Sequence, residues 1–159
     1  MLKFAIIGFG GLGKVHFNNY FTINKENRAN TQLVALCDIR EETFTKAAAT
    51  NITDGKSAST ESFRKYSDYK ELLAKEDLDF VVTALPTCLH AQIAVDALNA
   101  GVHVFSEKPM ALDLESCQAM LDAAKNNGKK LMIGQCLRYE PGYTNLTEYY
   151  KNGELGKLC

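Results

Sequence analysis

Apolar positions along this chain follow two rhythms, and their alternation is the first structural signal. The runs Phe4 to Ile7, Leu33 to Cys37, Asp79 to Leu85, Val102 to Phe105 and Leu131 to Gly134 are nearly unbroken in apolar character. Such runs predict strands covered on both faces, since a strand with one wet face alternates. The segments between them carry apolar residues at helical spacing: Leu12, Val15, Tyr20 and Ile23, then Leu89, Ile93 and Ala97, then Leu114, Cys117, Leu121 and Ala124. Start and stop residues agree with this division. Pro86 ends the run before it, Asp68 with Glu71 opens a brief helix through Leu73, Asp113 caps a longer one, and Gly101 and Gly128 close helices. A helix over Glu41 to Thr50, a polar loop over Asn51 to Ser62 turning at Asp54-Gly55, a short strand over Phe63 to Tyr66 and a polar connection over Asn24 to Thr31 complete the pattern. Strand and helix alternate throughout, which predicts parallel strands joined by right-handed crossovers: a doubly wound, mostly parallel α/β sheet.

In such a sheet ligands bind beyond the carboxyl ends of the strands. The first strand empties into Gly8-Phe9-Gly10-Gly11-Leu12-Gly13, directly before a helix. In a strand-turn-helix of this kind the first glycine permits the tight bend, the second admits a pyrophosphate without a Cβ in the way, and the third lets helix and strand pack closely. The unpaired N–H groups and the dipole of the following helix then face the phosphates. The plainer reading is an ordinary βα turn. Asp38 ends the second strand, with Ile39 beside it, at the position that accepts hydrogen bonds from the adenosine ribose and repels a 2′-phosphate; it favours NAD over NADP. Arg40 either neutralises a phosphate or is a solvated loop arginine. Leu85-Pro86-Thr87, Glu107-Lys108 and Gln135 fall at the same edge of the sheet. Charged residues directly after a buried strand are not needed for folding, so Glu107-Lys108-Pro109 is either a surface ion pair beside a turn or a cleft lysine. In the second case Lys108, held by Glu107, hydrogen-bonds a substrate hydroxyl and stabilises a developing alkoxide.

Composition narrows the classes. With 159 residues the chain suits one well-buried domain, and 46% apolar with 23% charged residues is ordinary for a globular protein. A net charge of -1 leaves no basic excess for nucleic acid or an anionic membrane, and no run approaches membrane-spanning length. A small-molecule substrate and a cytoplasmic location are the expectation. The five cysteines are odd in number with no CxxC pair, which predicts free thiols and no metal site. Cys37, Cys117 and Cys136 fall in apolar segments as small core residues; Cys88 lies in a loop without a base beside it in sequence. His16 and His103 read as packed or half-exposed structural residues. His90 is either a helix-start histidine bonded to backbone or a cofactor-side residue.

The stretch Ala100 to Leu112, Ala-Gly-Val-His-Val-Phe-Ser-Glu-Lys-Pro-Met-Ala-Leu, resembles the signature of the Gfo/Idh/MocA family of NAD(P)-dependent oxidoreductases, and the likeness extends to the glycine turn, to Leu85 through His90 and to Leu131 through Pro141. The resemblance covers the whole chain. It implies a Rossmann domain over 1–137 and bound NAD, with NADP the lesser alternative. It implies that Lys108 is the active-site lysine, with Glu107 its neighbour, and that Pro86, Thr87 and His90 belong to the cofactor pocket. Thr87 stands where family members more often carry Asn. Arg138 and Tyr139 match an Arg-aromatic pair after the last strand. Family enzymes add a second domain that supplies substrate contacts and usually the catalytic Asp or His. The expectation is therefore that 138–159 is a connecting helix and the start of that domain, that the rest is absent, and that these residues alone bind dinucleotide without turnover. Pro141 to Asn152 reads as that helix, with Tyr143, Leu146 and Tyr150 uncovered on one side; any homo-oligomer is expected to form through the missing domain. The implied activity is hydride transfer to or from a sugar, polyol or related cyclic secondary alcohol. The alternatives are an NAD-dependent glycosidase of the same fold and a non-catalytic NAD-responsive regulator, against which an intact Glu107-Lys108 argues.

Overall fold

The computed structural model describes residues 1–26, 28, 30–45 and 58–157. Its strands are β1 (Leu2–Ile7), β2 (Thr31–Cys37), β3 (Arg64–Tyr66), β4 (Phe80–Thr83), β5 (His103–Glu107) and β6 (Leu131–Gly134). The helices are α1 (Gly11–Lys25), α2 (Tyr69–Lys75), α3 (His90–Asn99), α4 (Leu114–Asn126) and α5 (Pro141–Lys151), with 3-10 turns at Glu41–Phe44, Thr87–Leu89 and Cys136–Tyr139. All strands are parallel, in the order β3-β2-β1-β4-β5-β6. The predicted doubly wound sheet is the observed one.

Alternation along the strands divides the interior into two layers. Phe4, Ile6, Leu33, Leu36 and Val82 meet Phe17 of α1 and Phe44 on one face. Ala5, Ile7, Cys37, Val81 and Val104 meet α2, α3 and α4 on the other, through Leu72, Ile93, Ala97 and Met120. Val34 is an extra residue in β2, since Phe4 partners Leu33 and Ala5 partners Ala35. Each large side chain fully buried in these layers, such as Phe17 or Leu98, contributes about 1.5–3 kcal/mol.

The short helices start where their caps place them. Asp68 accepts the Lys70 N–H at 2.8 Å, and Asp113 accepts the Ser116 N–H at 2.7 Å. The backbone N–H and hydroxyl of Ser116 hold the Asp113 carboxyl below its ordinary range. Gly101 closes α3 with φ +82.

Several boundaries move from their expected places. β5 extends to Glu107 because Gly134 pairs with it, and β4 stops at Thr83. Of the helix expected over 41–50, the described part is a 3-10 turn at Glu41–Phe44; residues 46–57, with the rest of that helix and most of the expected polar loop, lie outside the described residues. Cys136 is exposed, a correction to its expected core role: β6 ends at Gly134 and Cys136 opens the following turn. Cys117 is half-buried, while Cys37 is buried as expected. On α5, Tyr143, Leu146 and Tyr150 are 46–51% exposed. Among the described residues no helix is long and apolar enough to cross a membrane.

Candidate functional site

β1 and β4 are neighbours, yet the helices that follow them, α1 and α3, cover opposite faces. Their connections therefore diverge and leave a crevice above the strand ends. The glycine turn lines it. Gly8 has φ +89, and a Cβ there would stand 2.3 Å from the Ala84 carbonyl oxygen, so any side chain collides with the β4 connection. A Cβ on Gly13 would stand 2.0 Å from the Gly8 carbonyl oxygen; α1 sits on the turn at a distance only glycine allows. Gly10 differs, since the nearest atom to its missing Cβ is an Arg40 guanidinium nitrogen 4.0 Å away. Its bare backbone faces open space, the surface a diphosphate needs.

The start of α1 completes that surface. Its N-cap Gly10 offers no side-chain oxygen and its first turn holds no carboxylate, whereas α2 and α4 are capped by aspartates. The leading N–H groups and the positive end of the helix dipole are thus directed at the space over Gly10 and Gly11. Leu12, beside them, is 44% exposed. The Phe9 side chain is 1% exposed and packs against Phe17 and Phe44. Phe9 therefore offers a ligand no side-chain contact and anchors the turn from inside.

Asp38 joins the turn to β2. It is 8% exposed; Oδ2 accepts the Phe9 N–H at 2.8 Å, and Oδ1 accepts the Arg40 N–H at 2.9 Å with Arg40 Nε 3.5 Å away. Main-chain donors thus fix the carboxylate; Oδ1 is shared between the Arg40 N–H and its guanidinium, while Oδ2 keeps a lone pair for a hydroxyl. Arg40 leans on that carboxylate, and Ile39 is exposed. Between this strand end and α3 lies a cavity of about 290 Å³ whose walls include Gly8, Asp38, Ile39, Tyr69, Leu85 and Pro86. Its volume and largely apolar lining suit a purine nucleoside.

Sequence reading missed the wall formed by Ser67, Tyr69, Gln92 and Ile93. A signal existed, because Ser67 and Tyr69 follow the short third strand just as Asp38 follows the second. The Tyr69 hydroxyl donates to Asp96 Oδ2 at 2.7 Å; burial first, and this bond second, push it up to about 12. A larger hollow of about 620 Å³ opens beside β3 between Phe44 and Lys75, but it is wide open and the glycine turn does not line it.

The β5 end carries the charged pair, arranged differently from expectation. Glu107 Oε1 lies 2.7 Å from His16 Nε2, and Oε2 accepts the Lys108 backbone N–H at 3.3 Å. The expected side-chain pair between Glu107 and Lys108 does not form, because His16 takes the carboxylate. His16 lies three residues after Gly13 on the sheet-facing side of α1, with its ring edge-on to Phe105; that spacing was the overlooked signal. Lys108 is exposed and joined to Pro109 by a cis peptide.

His90 is 1% exposed, with Nδ1 2.7 Å from the Pro109 carbonyl oxygen and Nε2 2.8 Å from that of Leu85. Both contacts are hydrogen bonds when the ring carries two protons, and a neutral ring donates to one of them. No nitrogen is left for a ligand, so of the two readings His90 takes the backbone-bonded one. Thr87 is half-buried in its 3-10 turn, and Gln135 and Arg138 are exposed after β6 and do not line the cavity. At the end of β4 the buried Thr83 hydroxyl has no partner among the described residues.

Comparison with known proteins agrees with this geometry. The model of the Gfo/Idh/MocA oxidoreductase family, NAD-binding Rossmann fold, matches residues 2–135. Inositol 2-dehydrogenase of Salmonella paratyphi B is 32% identical over 157 residues, which are 98% of this chain and 43% of that protein. The crystal structure of the WlbA dehydrogenase from Bordetella pertussis in complex with NADH and UDP-GlcNAcA superposes with a TM-score of 0.80 at 28% identity, over 98% of this chain and 43% of that one. A glycosyl hydrolase family 109 protein of Shewanella putrefaciens is 25% identical over 99% of this chain and 33% of its own length. The chain thus spans less than half the length of these relatives.

Proposed function

The chain belongs to the Gfo/Idh/MocA oxidoreductase family, and on that premise we propose that it is the coenzyme-binding part of a dehydrogenase acting on a secondary alcohol of a sugar, polyol or related cyclic compound. One observation carries the reading: three glycines whose missing Cβ atoms meet β4, open space and the turn itself, beside a fixed carboxylate at the end of β2. Gly10, Gly11 and the start of α1 hold the diphosphate, Asp38 accepts the ribose hydroxyls, and the cavity wall of Ile39, Tyr69 and Leu85 encloses the adenine. NAD, when bound, supplies a nicotinamide carbon that accepts or returns hydride. Lys108, directly after β5, donates a hydrogen bond to the substrate oxygen and steadies its negative charge. The relatives named inositol 2-dehydrogenase and UDP-GlcNAcA-bound dehydrogenase support this substrate class.

Calorimetric titration of the chain with NAD and with NADP tests the binding half. Tighter binding of NAD by about tenfold or more is expected from the ribose bonds to Asp38 and its repulsion of a 2′-phosphate. Failure of both coenzymes to bind refutes the reading. The full gene product, offered a panel of inositols and sugars, is expected to accumulate NADH. Cleavage of a glycoside without net NADH would instead favour the reading suggested by the family 109 relative.

A further inference from the structure

We propose that His16 and His90 are positioning residues that grip the turn bearing Lys108 from opposite faces of the sheet. The functional meaning of this grip rests on the reading of Lys108 as the group facing substrate. Both chain neighbours of Lys108 are tied by imidazole nitrogens. On one side, Nε2 of His16 holds Oε1 of Glu107 at 2.7 Å, and the other oxygen of that carboxylate accepts the Lys108 N–H at 3.3 Å. On the other side, Nδ1 of His90 lies 2.7 Å from the Pro109 carbonyl oxygen.

The two histidines come from α1 and α3, which pack on the two different apolar layers. The turn is therefore clamped through the sheet and not from one flank. Lys108 itself forms no side-chain ion pair among the described residues. The point from which its flexible side chain reaches is then set by its backbone, and the backbone is what the histidines hold.

The same contacts reach the coenzyme side. His16 lies one helical turn beyond Gly13, and the ring of His90 that faces Pro109 also faces Leu85, which lines the nucleoside cavity. One pair of side chains thus sets the spacing between the coenzyme cleft and the lysine. Neither imidazole carries out chemistry in this account; each acts through the main chain next to Lys108.

Hydrogen exchange over residues 106–112, read by mass spectrometry on the full chain, tests the grip directly. Removing one charge-assisted bond is expected to speed exchange at Lys108 by about tenfold or more in His16→Ala. His16→Gln, whose amide still donates to Glu107, is expected to recover most of that protection. His90→Phe, which keeps the bulk and removes both imidazole contacts, is expected to loosen residues 106–112 as well. ADP fills the adenosine cavity and the glycine turn without reaching Lys108, so its affinity is expected to stay within about twofold in the His16 variants. In polyol oxidation by the gene product, His16→Ala is expected to lower kcat far more than it raises KM for NAD. Unchanged exchange in both His16→Ala and His90→Phe overturns the proposal. So does an acceleration in His16→Ala that His16→Gln fails to reverse. Absence of ADP binding to the unaltered chain refutes the coenzyme reading instead and leaves the exchange result to judge the grip alone.

Discussion

Gly10 and Gly13 lie on one turn, yet alanine at each has a separable effect. At Gly10 the backbone has φ -75, and the nearest atom to an added methyl is 4.0 Å away, so the fold accommodates it. Removing glycine's freedom from the unfolded chain even stabilises by about 0.4–1 kcal/mol. The methyl nevertheless occupies the surface assigned to the diphosphate. Loss of one or two charge-assisted bonds there, at about 1.5–3 kcal/mol each, weakens NAD by roughly tenfold to several hundredfold or more.

At Gly13 the methyl would stand 2.0 Å from the Gly8 carbonyl oxygen, where ordinary contact begins at 3.4 Å. That oxygen is backbone and has no rotamer to escape into. Overpacking of this kind costs about 1–3 kcal/mol, partly offset by up to about 1 kcal/mol of helix propensity. The melting temperature is then expected to fall by several degrees, at about 2–4 °C per kcal/mol for a chain of this size. Circular-dichroism melts with NAD calorimetry on both variants make the test. Gly10→Ala binding NAD like the unaltered chain, or Gly13→Ala melting at the same temperature, would refute the assignment of roles.

Other consequences are measurable on the same chain. Thr83→Val replaces a buried hydroxyl that has no partner among the described residues by a near-isosteric methyl, and is expected to raise stability by about 1 kcal/mol in denaturant melts; a loss would mean the hydroxyl is satisfied. Asp38→Ser is expected to weaken NAD by about tenfold and to narrow the preference over NADP, because Arg40 is released toward a 2′-phosphate; an equal loss for both coenzymes would count against the ribose role. Burial pushes the Cys37 thiol from 9.0 up to about 12, with Asp38 and Asp68 adding to the shift. The unfolded chain therefore releases this proton first, and the thiol's contribution is intact below about pH 9 and lost progressively as pH rises toward 12. Alkaline melts of Cys37→Ala are expected to fall less steeply in that window than those of the unaltered chain.

The sheet and the glycine turn were legible in sequence because each rests on a local demand. Strands covered on both faces must be apolar throughout, and a Cβ at Gly8 or Gly13 fits only if backbone shifts. Strand ends were less legible, since a ladder partner decides them: Glu107 joins β5 because Gly134 lies opposite. What escaped were contacts between residues distant in the chain. His16 and Glu107 are 91 positions apart, and neither advertises the other. Tyr69 and Gln92 reach one wall of the cavity only because β2 and β4 flank β1. His90 was visible as a residue of interest, but its two carbonyl partners depend on how the β4 and β5 connections approach one another.

Phe9 gives the turn a property that its glycines alone would not. Because its ring lies among Phe17 and Phe44, the loop arrives at its ligand already shaped, and little disorder has to be frozen out on association. Thermodynamic linkage makes the relation mutual. A coenzyme that prefers the loop in this shape also favours the aromatic packing beneath it, so bound coenzyme should make the interior around rings that it never touches costlier to open.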